Sequence, residues 1–226
     1  MINIIIASIP ALLSIALFLS LDKKILKEKW LFLITILIIS AIGSYICYRL
    51  EMHFGSYFKK VSQSTYLEIL FYAIFGVAIF EEGYKWLITT IAILLDKKMK
   101  MTTILIYSAF SSIGFAWFEN IVYYAIPYGI TTSITRMFSA FPSHIINSIF
   151  MAYFLIKYKD SEKFKKKLFL ICSLIFPTIV HGGYNSFLYG NHQEYIKYHK
   201  IYLIIIFIAS ILLLVSIIKK QKNNSH

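Results

Sequence analysis

The sequence has little charge and few helix-breaking residues. Of its 226 residues, 15% are charged and 58% are hydrophobic, whereas an ordinary soluble domain has about 25% and about 45–50%. This composition excludes a water-soluble fold. Four prolines and nine glycines are too few for a collagen-like chain or a flexible linker, and 17% aromatic residues exclude disorder. The remaining class is a polytopic helical membrane protein, because about 20 apolar residues span a bilayer.

Cysteine is also scarce, and the positive charge is unevenly placed. Cys47 and Cys172 both lie in apolar stretches without CxxC spacing, which indicates buried small side chains and not a disulfide or a metal site. The net charge of +12 comes from short basic clusters between apolar runs. This pattern is typical of membrane topology signals. We therefore expect a lipid bilayer as the surroundings and no binding of nucleic acid.

The apolar runs predict an all-α bundle of about seven transmembrane helices, forming one integral membrane domain over residues 1–226. The predicted spans are roughly 3–21, 31–50, 64–95, 102–126, 138–157, 168–189 and 200–218. The third span is longer than a bilayer requires, so we expect it to tilt or to break near Gly76 or Gly83. The first span lacks the flanks of a cleaved signal peptide, so we expect it to be retained.

The lysine clusters predict the orientation. Basic residues after the first, third and fifth spans and at the C-terminal end outnumber those in the other connections. The positive-inside rule then places the N-terminus outside the cell membrane and the C-terminus in the cytoplasm.

Several ionisable residues lie inside the predicted spans, where each costs about 2.5–3.5 kcal/mol on insertion scales and is a functional-site hypothesis by default. They are Glu81, Glu82 and Lys85 in the third span, Glu119 in the fourth, His144 in the fifth and His181 in the sixth. Their positions place polar groups of three helices in the outer half of the membrane. A tilt or break in the third span would bring the glutamate pair to the same level.

The charges of this group do not balance. Lys85 can reach Glu81 at i, i+4 or Glu82 at i, i+3, and a buried ion pair could simply fix helix packing. One lysine cannot neutralise that pair and Glu119 as well. The site therefore needs either a divalent cation or protonated carboxylates, and a perturbed carboxylate is what a general base requires. The sequence leaves both open.

Each intramembrane histidine has a polar residue four positions further on. His144 precedes Ser148 and His181 precedes Asn185, so each pair shares one helix face and can aim at a single atom. A lone membrane histidine is often a packed, hydrogen-bonded group, but two of them beside three glutamates favour function. The two glycines after His181 allow close approach either of substrate or of another helix.

Four motifs follow one another on successive predicted spans: Glu81-Glu82-x-x-Lys85, Phe115-x-x-x-Glu119-Asn120, His144-x-x-x-Ser148 and His181-x-x-x-Asn185. This ordered set resembles the PrsW family of intramembrane proteases, which is similar to the group that contains the CAAX prenyl endopeptidases. The resemblance covers residues 64–189, the expected catalytic core. It implies a membrane peptidase that cuts a membrane-anchored anti-sigma factor at an extracytoplasmic site and thereby releases a stress-response sigma factor.

The resemblance also implies roles for single residues. Glu81 and Glu82 match the catalytic glutamate pair, His181 matches the final histidine and Asn185 matches the amide-bearing position. The sequence departs from the prenyl endopeptidases at Glu119, where those relatives have histidine. The missing histidine contribution would then come from another histidine or from a metal.

The expected mechanism is attack of glutamate-activated water on a peptide bond. One glutamate of the pair would be the general base and the other would pair with Lys85, while His181 and Asn185 would polarise the carbonyl. A divalent metal, with zinc as the preferred candidate, would bind to Glu119, His144 and His181 and keep one position for water. A metal-free mechanism, in which Glu119 and His144 only position water, stays open.

Other classes are less well supported by the sequence. It contains no HExxH, no Gly-x-Gly-Asp and no Gly-x-Ser-x-Gly motif, which argues against the zinc, aspartyl and serine types of intramembrane protease that those motifs mark. A proton- or cation-coupled transporter also needs midplane carboxylates and histidines, but it predicts repeat symmetry or paired broken helices. A non-catalytic scaffold is disfavoured by the intact acidic and histidine positions.

Overall fold

A computed structural model describes residues 1–59, 65–96, 99–189 and 194–223, and these are almost entirely helical, without a strand. The helices are α1 (Ile2–Ser20), α2 (Lys23–Lys59), α3 (Tyr66–Phe71), α4 (Ile79–Leu95), α5 (Met101–Glu119), α6 (Ile126–Phe138), α7 (Ala140–Asp160), α8 (Lys163–Tyr189) and α9 (Glu194–Asn223). Two π-helical segments, Tyr72–Ala78 and Asn120–Ala125, connect α3 to α4 and α5 to α6. The all-α prediction is confirmed.

Within the described residues, five helical stretches are long and apolar enough to cross a membrane: Ile2–Ser20, Lys23–Phe54, Met101–Asp160, Lys163–Tyr189 and Tyr198–Asn223. The protein is therefore a multi-pass membrane protein. The 60-residue stretch contains two of the predicted spans. The predicted third span corresponds to α3, the first π segment and α4, whose lengths are 6, 7 and 17 residues. The count of about seven transmembrane helices stays a prediction.

Helix α5 lies at the centre of the bundle, and its residues Thr102–Ala116 are all buried. Small and hydroxyl-bearing side chains let neighbouring helices approach it. A Cβ atom on Gly114 would lie 2.3 Å from the carbonyl oxygen of Leu37 in α2, and the Ser108 hydroxyl donates a hydrogen bond of 2.9 Å to the Ser148 carbonyl in α7. The central helix thus holds its neighbours through close backbone contacts.

The outer helices present apolar side chains to the surroundings. Leu12 of α1, Ile38 of α2 and Leu212 of α9 are more than half exposed. Such faces would be unfavourable in water but suit contact with lipid tails.

At one end of the bundle, ion pairs link the connections between helices. Three of them join the connections after the first, third and fifth predicted spans and the C-terminal helix: Lys100–Asp22, Lys220–Asp160 and Lys29–Asp96. These are the connections that the lysine clusters assign to one side of the membrane. We refer to this end as the lysine-rich end.

Both π segments lie beside carboxylates of the predicted site. The first ends three residues before Glu81, and the second begins directly after Glu119. Single π turns with i→i+5 hydrogen bonds occur frequently at functional sites. Gly76, one of the two predicted break positions, lies inside the first π segment, whereas the α-helix continues through Gly83.

Candidate active site

A cavity of about 380 Å³ opens between the helices, and its lining includes Glu81, Glu119, His144, His181 and Asn185. These residues come from α4, α5, α7 and α8, so the structure brings the four predicted motifs to one place. The other two predicted residues, Glu82 and Lys85, do not line the cavity and are fully buried among the helices.

Glu82 is the centre of a buried hydrogen-bond network. Its Oε1 atom accepts hydrogen bonds from Lys85 Nζ at 2.6 Å, from His181 Nδ1 at 2.8 Å and from Asn147 Nδ2 at 3.4 Å. The side chains of Glu82 and Lys85 are both fully buried. Because a carboxylate can only accept, the proton of His181 lies on Nδ1, and Nε2 keeps its lone pair.

Glu119 holds the other histidine in the same manner. Its Oε2 atom lies 2.9 Å from His144 Nε2, while His144 Nδ1 lies 3.1 Å from Lys85 Nζ. The ring of His144 meets that of His181 edge-on, with 5.2 Å between centroids. Each histidine thus has a carboxylate partner, an arrangement that fixes ring orientation in metal sites.

Arg136 is a member of the site that the sequence reasoning missed. Its Nη2 donates to Glu119 Oε1 at 2.8 Å, its Nε donates to Asn120 Oδ1 at 2.6 Å, and its guanidinium stacks on the ring of Tyr124 at 3.5 Å. The sequence-based interpretation counted Arg136 only as a cation in a connection. No spacing rule links it to Glu119, but it supplies one of the positive charges that the intramembrane carboxylates lack.

Three further side chains have positions or contacts that the sequence-based interpretation did not assign. Glu51 of α2 lines the cavity although it lies outside the expected core, and its position near a span end gave no signal. Asn147 contacts the glutamate network. Ser148 does not share a target with His144, because its hydroxyl donates to the Ile145 carbonyl at 2.7 Å.

Donor atoms of Glu81, His144 and His181 lie within 4.8 Å of one another and could hold a metal ion. His181 Nε2 lies 3.9 Å from Glu81 Oε2, and this oxygen is buried without a hydrogen-bond partner among the described residues. Two imidazoles and one carboxylate form a donor set that zinc accepts. The residues therefore fit a divalent metal, with Glu81 in the position that the sequence reasoning gave to Glu119.

Lys85 lies at the edge of this donor group. Its Nζ atom is 3.1 Å from His144 Nδ1 and 3.8 Å from Glu81 Oε2. Both nitrogens of His144 have partners, so the histidine must give up one contact to bind a cation. The contact with the lysine is the one that a second positive charge would weaken.

Carboxylates and imidazoles around a cavity inside an apolar helical bundle define an enzyme that carries out its chemistry within the membrane. The family model described as PrsW family intramembrane metalloprotease matches residues 28–214. The chain belongs to this family and is a membrane-embedded protease. Its substrate is a membrane protein, and its surroundings are a lipid bilayer.

Individual relatives agree with this assignment. The chain is 29% identical over 211 residues to Protease PrsW of Clostridioides difficile strain 630, covering 89% of this chain and 85% of the relative. It is 31% identical over 191 residues to Protease PrsW of Oceanobacillus iheyensis, covering 84% and 85%. No solved structure matches the chain. Family membership decides against the transporter and the scaffold alternatives.

The glycine after His181 serves close helix packing. A Cβ atom on Gly182 would lie 2.3 Å from the Cγ1 atom and 2.9 Å from the Cα atom of Ile74 in the first π segment. Gly183 approaches the Tyr202 hydroxyl in a similar way. In contrast, a Cβ atom on Gly83 of α4 would meet nothing within 4 Å.

We expect Gly182→Ala to reduce proteolysis at least about tenfold and to lower the unfolding temperature. The added methyl group must push α8 away from the π segment, which moves His181, and overpacking typically costs about 1–3 kcal/mol. Gly83→Ala is the matched control, since alanine fits there and is favoured over glycine in helices. Cleavage rate and thermal unfolding of both variants check this. Equal behaviour of the two variants would contradict the packing role.

Proposed function

We propose that this protease cuts a membrane-anchored substrate of the anti-sigma factor type at an extracytoplasmic site of the cell membrane, so that a stress-response sigma factor is released. In this proposal the N-terminus lies outside and the C-terminus in the cytoplasm. The order of the four motifs supports the substrate class, and the lysine clusters support the orientation.

The depth of the site supports an extracytoplasmic cut. Glu81, His144 and His181 lie roughly 15 to 18 residues along their helices from the lysine-rich end, which is about 22–27 Å at the helical rise. The hydrocarbon core of a bilayer is about 30 Å thick. With the lysine-rich end in the cytoplasm, the three side chains would lie close to the opposite surface.

The observation that carries the mechanism is the position of Glu81 in the cavity lining, where its Oε2 atom accepts no hydrogen bond from the described residues. Glu81 is the member of the glutamate pair that can meet water, and we assign to it the proton of the attacking water. Glu82 has its Oε1 atom occupied by Lys85 and His181. Glu82 and Lys85 therefore act as positioning residues.

Asn185 shares one face of α8 with His181 and lines the same cavity. Its amide N–H can donate to the oxygen of the scissile carbonyl, where negative charge develops. The Nδ1–H group of His181 donates a hydrogen bond to Glu82. In the neutral ring the Nε2 atom then carries the lone pair, so it can bind a metal but cannot donate a hydrogen bond. We therefore assign the polarisation of the carbonyl to Asn185.

A divalent ion, preferably zinc, would be held by Glu81, His144 and His181, and it would supply Lewis acidity that makes water a stronger nucleophile near neutral pH. Glu82 and Glu119 would keep the two imidazoles oriented through their N–H groups. A carboxylate has two oxygens, so Glu81 can contact the ion through one of them and accept a proton through the other.

Co-expression with a tagged substrate tests this function. The substrate is a membrane-anchored anti-sigma factor with different tags on its two ends, and an unrelated single-span protein with the same tags is the control. We expect a shortened anti-sigma fragment with wild-type protease and none with Glu81→Gln. The tag sizes should place the cut on the extracytoplasmic side. Cleavage of the control alone, or a cut on the cytoplasmic side, would contradict the proposal.

A further inference from the structure

The walls of the cavity carry hydroxyl groups that have no hydrogen-bond partner. Ser44 of α2, Tyr123 of the second π segment and Ser143 of α7 all line the cavity. Their hydroxyl oxygens are buried, and none has a partner in the part of the chain that the structure describes. Ser143 is 3% exposed and Ser44 is 2% exposed.

Ser143 lacks the hydrogen bond that several other serines of this bundle make within their own helices. A serine inside a helix normally donates to the carbonyl three or four residues earlier, as Ser148 does to Ile145 at 2.7 Å and Ser173 does to Leu170 at 2.6 Å. Ser143 directly precedes His144 on the same helix and makes no such bond. Burial of an unsatisfied hydroxyl costs free energy, and a partner that enters the cavity would remove this cost, since the described residues supply none.

We infer that the Ser143 hydroxyl donates a hydrogen bond to a main-chain carbonyl oxygen of the peptide substrate. Ser44 and Tyr123, which line the same cavity, supply two further hydroxyl donors. The inference deepens the proposed function, because it assumes that peptide is cut in this cavity.

The three hydroxyl groups also favour one conformation of the substrate. Carbonyl groups in a helical transmembrane segment are already bonded within the segment, and they have little need of further donors. Carbonyl groups of a locally unwound segment have lost those bonds. The hydroxyl groups of Ser44, Tyr123 and Ser143 therefore suit a substrate that is extended where it enters the cavity.

Ser143→Ala and Ser148→Ala form a matched pair, because both serines are buried on α7 and only Ser143 lines the cavity. We expect Ser143→Ala to lower kcat/KM about five- to tenfold, the usual effect of one neutral hydrogen bond. Its unfolding temperature should stay the same or rise, since an unsatisfied hydroxyl is removed. Ser148→Ala should keep kcat/KM within about twofold and unfold at a lower temperature, since it loses a formed bond.

The kinetic substrate is first selected from a panel of single-span peptides by wild-type cleavage, so the comparison does not depend on the anti-sigma type. Absence of anti-sigma peptides among those cut would count against the proposed function only. Wild-type kcat/KM in Ser143→Ala would overturn the inference about Ser143. A loss of stability in Ser143→Ala as large as that in Ser148→Ala would overturn it too, because it would show a structural role.

Discussion

Glu81→Gln is expected to lower the cleavage rate by a factor of about 10²–10⁴, the usual contribution of a general base, while the protein accumulates normally in the membrane. Glutamine keeps the shape of the side chain but cannot accept the proton of water. The Oε2 atom of Glu81 accepts no hydrogen bond from the described residues, and its ion-pair contact with Lys85 is long, at 3.8 Å, so no buried hydrogen bond of that atom is lost. Removing a buried charge also lowers the cost of membrane insertion. Rates are measured per amount of membrane-extracted protein.

Glu82→Gln should also abolish cleavage, but by another route. It leaves the fully buried Lys85 without its 2.6 Å ion pair, and breaking a buried pair in this way costs about 3–5 kcal/mol. Its unfolding temperature should therefore fall, unlike that of Glu81→Gln. Glu28→Gln, on the exposed surface of α2, controls for the loss of a carboxylate elsewhere. Wild-type cleavage by Glu81→Gln would show that Glu81 is not the base.

Metal content should depend on three side chains. We expect purified protein to contain close to one divalent ion per chain and to lose both ion and activity to a strong chelator, with recovery on addition of zinc. His144→Ala and His181→Ala should each lose the ion as well, because zinc needs its protein ligands. Elemental analysis of the active protein is the measurement. Full activity with negligible metal would leave a metal-free glutamate mechanism.

The same measurement distinguishes the two possible carboxylate ligands. In the structure Glu119 contacts His144 and Arg136, so Glu119→Gln should weaken metal affinity about 10–100-fold, as expected for a group behind the ligand. Glu81→Ala removes one of the three proposed ligands, so we expect this variant to hold no ion at any practical metal concentration. The reverse order of effects would assign the ligand role to Glu119, as the sequence reasoning expected.

The sequence by itself determined the class of fold and the intramembrane carboxylates and histidines of the site, but not Arg136 or Glu51. The scarcity of charge and the apolar runs require a helical membrane bundle, because only helices and closed barrels satisfy the backbone in lipid. Against that apolar background, each carboxylate and histidine within a span stood out. The i, i+4 spacing placed His181 and Asn185 on one face, and both line the cavity. Such local geometry follows from the helix alone.

Only the tertiary structure decided how these side chains are divided between the cavity and the bundle interior. Glu81 and Glu82 are neighbours in sequence and equal in chemistry, but successive residues point about 100° apart on a helix. The packing of α4 against α2, α5 and α8 therefore decides which one meets water. The approach of Arg136 to Glu119 likewise depends on how α6 packs against α1, α7 and the second π segment. Spacing rules reach along one helix, whereas contacts between helices depend on how their faces pack.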